Sequence, residues 1–290
     1  MKRTMILLFS AVAVFWNVEN FFDPRSASAP QYWTRSRMMT KARAISKLVL
    51  SLADSTGTPP DYVALAEVDN DYVLRQLVYQ TALNAYGYRY VHFDSRDHRG
   101  IDCALLYRGE RPRSRAVPLV LDADTLATRD ILICEFDSLT LMVCHLPSKR
   151  GGSQEAARRR VCALRTIDSL ARLVSGPLVV MGDFNDTRSA LSDSLMASLV
   201  ELQPRGFAGT IKFEGQWEQI DRCLVRGVQG ELEVCNLEFL TTEDKGYGGV
   251  KPLRTFSGPR YLGGVSDHYP ILIHCKAGLD TYSIITIPAN

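Results

Sequence analysis

Several of the signals by which a chain announces its class are missing from this sequence. None of its seven cysteines (Cys103, Cys134, Cys144, Cys162, Cys223, Cys235 and Cys275) forms a C-x-x-C pair, which argues against a structural zinc site. Most fall inside apolar runs such as Leu141-Met142-Val143-Cys144, where a reduced cysteine packs as a small core residue. Pairing between neighbouring strands stays open if the chain is exported. No repeat, low-complexity segment or Pro/Gly/Ser-rich linker divides the chain, so 290 residues with 46% hydrophobic composition read as one large domain. The net charge of +2 is too small to announce a nucleic-acid binder by bulk electrostatics, although a local basic cleft would serve. Neither a G-x-S-x-G elbow nor a Walker loop occurs. The apolar run of residues 5–15 is too short to span a bilayer as a helix.

That run supports two readings. Lys2 and Arg3 precede it, and Ala11-Val12-Ala13 has the small-x-small form of a signal-peptidase site. In the other reading, residues 12–16 are the first buried strand, and a cut after Ala13 would leave only a stub of it. The balance favours export. The chain then divides into residues 1–13 (leader or first strand), a domain over 14–276 and a tail over 277–290.

What is present is an alternation of short β-branched or apolar runs with helical stretches. Strands are expected at 11–15, 62–67, 88–93, 103–107, 130–136, 139–145, 178–182, 219–225 and 271–274. Apolar residues at helical spacing predict helices over 37–54, 72–85 and 155–173, with a weaker candidate at 188–199. The Gly- and Pro-rich stretch 245–264 reads as a long loop. Strands joined by tight turns, mixed with strands separated by helices, suggest mixed sheets with helices outside, in one α/β domain.

The informative polar residues stand where apolar runs stop. Leu178-Val179-Val180-Met181 gives way to Gly182-Asp183-Phe184-Asn185, and in an extended chain Asp183 and Asn185 would share a side. Leu141-Met142-Val143-Cys144 ends in His145, Val63-Ala64-Leu65-Ala66 ends in Glu67, and residues 12–16 end in Asn17. Ser266-Asp267-His268 precedes the last strand. A packed core has no use for these groups unless they pair with one another or with an ion. Singly, each has a dull explanation as a turn, a cap or a solvated strand end. Jointly they do not.

The segments Trp16-Asn17-Val18-Glu19-Asn20, Ala66-Glu67-Val68, Cys144-His145-Leu146-Pro147-Ser148, Gly182-Asp183-Phe184-Asn185, Gln219-Ile220-Asp221-Arg222 and Ser266-Asp267-His268-Tyr269-Pro270 resemble the ordered motifs of the endonuclease/exonuclease/phosphatase superfamily. The match spans nearly the whole chain. The resemblance implies a four-layer α/β/β/α sandwich, two mixed sheets face to face with helices outside. It also implies a divalent-metal-dependent phosphoesterase that attacks a phosphomonoester or phosphodiester in line with an activated water. Carried over residue by residue, Glu67 looks like the direct carboxylate ligand, with Asn17 and Asp267 as further metal-site residues. Asp183 resembles the base for the attacking water, and Asn185 the amide that orients it and contacts phosphate. His268 looks like the group bound to the phosphoryl oxygen, with Asp221 as its imidazole-orienting partner. His145 matches the second histidine of the deoxyribonuclease-like and phosphatase branches.

The chemistry calls for such residue types. Water attacking a phosphate ester needs a positioned base, and the charge on the phosphoryl oxygens needs cations or donors. Magnesium, with manganese as the alternative, takes hard oxygen ligands and keeps several waters. In the charged stretch 94–102, Arg99 is a candidate phosphate contact and Asp102 its orienting partner. Lys149 and Arg150, in a basic Gly-rich loop after His145, are further candidates. Arg158, Arg159 and Arg160 are adjacent helix positions, so at most one or two reach the site. The expected substrate is a phosphorylated small molecule, a lipid headgroup or a nucleic acid, with no obligatory protein partner. A nuclease is the alternative function. A non-catalytic binding module on the same fold loses ground, because every expected catalytic position carries the expected residue type.

Overall fold

Successive side chains in a strand point to opposite faces, and this two-residue period decides where the polar groups of the chain end up. The computed structural model describes residues 9–121, 124–148 and 154–277. Lys2, Arg3, Lys149, Arg150 and the tail beyond Ala277 lie outside the described residues.

Two mixed sheets carry the fold. The first has seven strands in the order Pro204–Arg205, Gln229–Val234, Ile271–Ala277, Phe9–Phe21, Tyr62–Val68, Asp102–Tyr107 and Arg89–His92. The second has six, in the order Val200–Glu201, Asp221–Arg226, Leu178–Asp183, Thr140–His145, Ile131–Glu135 and Arg113–Val117. Alternation along the second sheet splits its side chains between two cores. Leu141, Val143, Val179, Met181, Cys223 and Val225 join the first sheet in the central core. Met142, Cys144, Leu178, Val180 and Leu224 face the other way, onto Ala163, Ile167 and Ala171 of the helix Gln154–Leu173.

The helices Arg35–Ser51 and Asp71–Tyr79 cover the first sheet. The former starts at Thr34, whose hydroxyl accepts from Arg37 N–H, and buries Met38, Ala42, Ile45, Leu48 and Val49. The latter is capped by Asn70 and buries Val73, Leu74, Leu77 and Val78. The result is the expected four-layer α/β/β/α sandwich.

The same alternation aims the site residues. Asp183 continues the row of Val179 and Met181, His145 that of Leu141 and Val143, and Asp221 that of Cys223 and Val225. All three therefore point between the sheets, at the end where these strands stop or begin.

The differences from expectation have local causes. The strand Phe9–Phe21 is longer than expected, and Ala13 pairs with Tyr62 on one side and Ile273 on the other. Helix 72–85 breaks after Tyr79 into a separate short turn at Ala82–Tyr86, and helix 188–199 shrinks to Ala190–Leu195. The segment 245–264 holds short paired strands, Val250–Pro252 with Thr241–Glu243 and Phe256–Ser257 with Arg260–Tyr261. Arg113–Val117 and Gln229–Val234 form strands that carry little apolar signal, because each lies at or near a sheet edge with one side in solvent. All seven cysteines are free.

Gly182 stands where the strand Leu178–Asp183 runs closest to Thr140–His145. A Cβ there would sit 2.2 Å from Cys144 O and 2.5 Å from its Sγ. Gly182→Ala is therefore expected to destabilise the fold by about 1–3 kcal/mol, as core overpacking does. Thermal unfolding checks this, and an unchanged melting temperature would contradict the close approach.

Candidate active site

The strand ends bring the motif residues together. Asp183 is paired in register with His145 on one side and Asp221 on the other. Its Oδ2 accepts from Asn17 Nδ2 at 3.0 Å and its Oδ1 from Asn185 N–H at 2.8 Å. His145 Nε2 lies 3.5 Å and His268 Nε2 4.0 Å from Oδ2. Behind His268, Asp221 Oδ2 meets Nδ1 at 2.8 Å. The main chain braces this arrangement: Trp16 Nε1 donates to His268 O, and Ser266 Oγ donates to Asn17 O and accepts from His268 N–H.

Glu67 approaches from the first sheet. It sits at a break in strand register with φ 64°, a left-handed backbone that a non-glycine residue adopts at a cost. Its Oε2 accepts from Asn20 N–H at 2.8 Å. Its Oε1 faces Asn17 Nδ2 at 3.5 Å, Arg99 Nη2 at 3.7 Å and His145 Nε2 at 3.9 Å. These separations are at or beyond the limit of a hydrogen bond, so one oxygen of a nearly buried carboxylate stays available to a cation. Asp267 adds a second, more exposed carboxylate, its Oδ1 3.9 Å from His268 Nε2. One or two carboxylates fit the hard-oxygen preference of magnesium or manganese. Among the described residues, Asp183, Asp221 and His268 bring donor atoms within 4.8 Å of one another. The short Asp221–His268 hydrogen bond already uses two of those groups, which leaves Glu67 the better-placed ligand.

The two histidines differ in charge. Burial pushes His145 well below the usual imidazole range, reinforced by Arg129, Arg99 and His268. It is neutral. Burial opposes the charge on His268 too, but Asp221, then Asp183 and Asp267, outweigh it and hold His268 well above that range. Asp183 is pushed up to about 7, chiefly by burial and further by Asp221, against the pull of His268. A buried carboxylate poised near neutrality beside a cationic imidazole suits a base and a phosphoryl-oxygen donor respectively.

Three expectations need correction. Asn17 borders the site as a donor: Glu19 N–H occupies its Oδ1 at 3.0 Å, so its amide nitrogen, and not its oxygen, faces the carboxylates. Asn185 does not continue the strand beside Asp183. With φ 50° it turns away, and its side chain donates to Leu146 O at 2.9 Å. Asp102 does not orient Arg99. Its oxygens meet His92 Nε2 at 3.2 Å and Ser95 N–H at 2.9 Å, while Asp97 accepts from Arg99 N–H at 3.0 Å. Of the three arginines at 158–160, Arg158 and Arg159 pair with Glu155, and Arg160 lies 3.6 Å from Asp186.

Sequence reasoning missed a second tier. Buried Arg129 donates to His145 O at 3.1 Å and Leu146 O at 2.6 Å, and pairs with buried Asp97 at 3.0 Å. Arg254 bridges Glu19 at 2.6 Å and Asp267 at 3.1 Å. Lys41, fully buried, donates to Glu19 O and to Thr255 Oγ1. Glu19 carried a signal as part of Trp16–Asn20, and Asp97 only as one residue of the charged stretch 94–102. The others stand in loops or a helix with no apolar run to mark them.

Residues 11–277 match the model of an endonuclease/exonuclease/phosphatase family. No curated protein matches in sequence. Among solved structures, sphingomyelinase C from Streptomyces griseocarneus is similar at TM-score 0.63 and 16% identity, covering 92% of this chain and 99% of that one. A mannosyl-6-phosphatase from Bacteroides thetaiotaomicron is similar at TM-score 0.57 and 14% identity, with coverage of 91% and 99%. D. rerio TDP2 complexed with single strand DNA product is similar at TM-score 0.58 and 20% identity, with coverage of 92% and 98%. At these identities the likeness is one of fold.

A ligand that binds only the folded chain raises its melting temperature by mass action. Millimolar magnesium should therefore raise the melting temperature of the chelator-treated protein, and Glu67→Gln should lose most of that rise while remaining folded. An equal rise in the variant would remove Glu67 from the metal site.

Proposed function

Because this chain belongs to the endonuclease/exonuclease/phosphatase family, whose members are hydrolases acting on phosphate esters, we propose that it is a divalent-metal-dependent phosphoesterase using Asp183 as base and His268 as phosphoryl-oxygen donor. The observation that carries this reading is the placement of Asp183. Its two oxygens are held by Asn17 and Asn185 N–H, and it lies beside an imidazolium fixed by Asp221.

In this scheme a water seated at Asp183 Oδ2 gives its proton to the carboxylate as its oxygen attacks phosphorus, and the opposite ester P–O bond breaks, the departing alkoxide taking a proton from solvent to leave as the alcohol. Asn17 and Asn185 keep the carboxylate from rotating during the transfer. His268 presents Nε2–H to a phosphoryl oxygen and stabilises the charge that grows there, while Asp221 holds the ring through Nδ1. Neutral His145 packs beside the base without adding a competing charge. A cation at Glu67 and Asp267 would neutralise the same phosphoryl oxygens. The substrate class favoured is a phosphorylated small molecule, since the chain has no large excess of positive charge to track a polynucleotide.

Activity of the full chain on p-nitrophenyl phosphate, bis-p-nitrophenyl phosphate, inositol phosphates, RNA and plasmid DNA, with magnesium or manganese, tests the proposal. Turnover is expected on at least one ester and is abolished by chelation. Asp183→Asn and His268→Ala should each lower kcat by about 100-fold or more. Asp183→Asn should keep a melting temperature close to wild type, because little apolar contact is lost, whereas His268→Ala leaves the buried Asp221 carboxylate without its partner and should lower it. A folded variant keeping more than about a tenth of wild-type turnover would overturn its assigned role.

A further inference from the structure

Two half-exposed guanidinium groups border the carboxylates, and the water-activating machinery uses neither. Close contacts join them into one chain. Arg99 Nη2 lies 3.7 Å from Glu67 Oε1, which is 3.5 Å from Asn17 Nδ2; Asn17 bonds Asp183 at 3.0 Å. His268 Nε2 follows at 4.0 Å from Asp183 and 3.9 Å from Asp267, and Asp267 ends on Arg254 Nη2 at 3.1 Å. The catalytic pair thus stands between two arginines, one from the loop before Asp102–Tyr107 and one from the segment before Phe256–Ser257.

Both arginines are anchored from behind. Asp97 is buried, accepts from the Arg99 backbone N–H at 3.0 Å and lies 3.8 Å from Arg99 Nε, and it is itself pinned by buried Arg129 at 3.0 Å. Glu19, also buried, accepts from Arg254 Nε at 2.9 Å and Nη2 at 2.6 Å, with its other oxygen taken by Thr255 N–H at 3.0 Å. Held at the base, the two side chains keep 37% and 43% of their surface exposed. Each is thus anchored yet partly open to solvent beside the carboxylates.

We propose that Arg99 and Arg254 are substrate-binding residues that together receive a doubly charged terminal phosphate, so that the chain prefers phosphomonoesters to phosphodiesters. This rests on the phosphoesterase reading above and narrows its substrate class. A monoester dianion carries one more negative charge and one more unesterified oxygen than a diester. A guanidinium fork matches such oxygens in geometry and charge, and charge-assisted hydrogen bonds of this kind are the strong ones. One cationic imidazole suffices for a diester anion. Two further anchored cations beside it match the additional charge and oxygen of a monoester.

The test measures kcat and KM for p-nitrophenyl phosphate and bis-p-nitrophenyl phosphate on the full chain with magnesium, in wild type, Arg99→Met and Arg254→Met. Wild type should favour the monoester by about tenfold or more in kcat/KM. Each variant should lose about tenfold on the monoester, mostly through KM, and less than about threefold on the diester. Arg254→Lys, which keeps the charge but not the fork, replaces Arg254→Met if the latter unfolds. Wild-type preference for the diester, or proportional losses on both esters, would overturn the proposal. If wild type hydrolysed neither ester, the phosphoesterase reading would fail first. Calorimetric binding of inorganic phosphate would then decide the arginines separately: weakening in both variants supports the assignment, and unchanged affinity refutes it.

Discussion

Carboxylates at one end of the sandwich set the terms for everything around them. Glu19, Glu67, Asp183 and Asp221 are buried there, and Asp267 stands at the rim. Burial alone disfavours their charge, and their proximity adds repulsion, which is why Asp183 and Glu19 are both pushed up, each chiefly by burial. The fold answers with interleaved cations. His268 takes Asp221, Arg254 takes Glu19 and Asp267, and Arg99 stands by Glu67. Lys41 lies beneath, so deeply buried that it is lowered to about 8 despite three carboxylates nearby. Buried ion pairs of this sort contribute little net stability over an apolar core. Their arrangement makes sense as a means of keeping charged groups poised at one place.

Backbone strain concentrates at the same place. Of the five described non-glycine residues with left-handed φ, four are Glu19, Asn20, Glu67 and Asn185. Each strained turn does something the extended chain cannot. The turn at Glu19 and Asn20 sends one carboxylate to Arg254 and one N–H to Glu67. The turn at Glu67 brings its carboxylate toward Asn17 and His145 at the end of the neighbouring strands. At Asn185 the turn points a backbone N–H back at Asp183. Such conformations persist where the surroundings over-determine them, as the paired strands on both sides do here.

Much of this was legible in the sequence. Apolar runs that stop at Glu67, His145 and Asp183 marked strand ends, because a two-residue period with buried faces leaves a polar residue at the end no place but the open edge, whereas at Asn17 the strand runs on to Phe21. The order of the motifs then marked the four-layer sandwich. What escaped was whatever depends on loops meeting across the fold. Arg254, Arg129 and Asp97 act through partners 235, 16 and 32 positions away, and no local pattern encodes such pairings. Asp102 was misjudged for the converse reason. Its nearness in sequence to Arg99 suggested a pair, but as the first residue of a strand it points toward His92 on the neighbouring strand. Strands with one wet face, such as Arg113–Val117, lack the apolar run by which the buried ones were found.

In the proposed mechanism Asp183 activates a water for direct in-line attack on phosphorus, with no covalent intermediate on the chain. The configuration at phosphorus after turnover tests it most directly. A phosphorothioate ester made chiral at phosphorus with two oxygen isotopes, hydrolysed in water of the third, should yield thiophosphate of inverted configuration, as a single displacement requires. Retention would mean two displacements through a phosphorylated residue, and would contradict the roles given to Asp183 and His268.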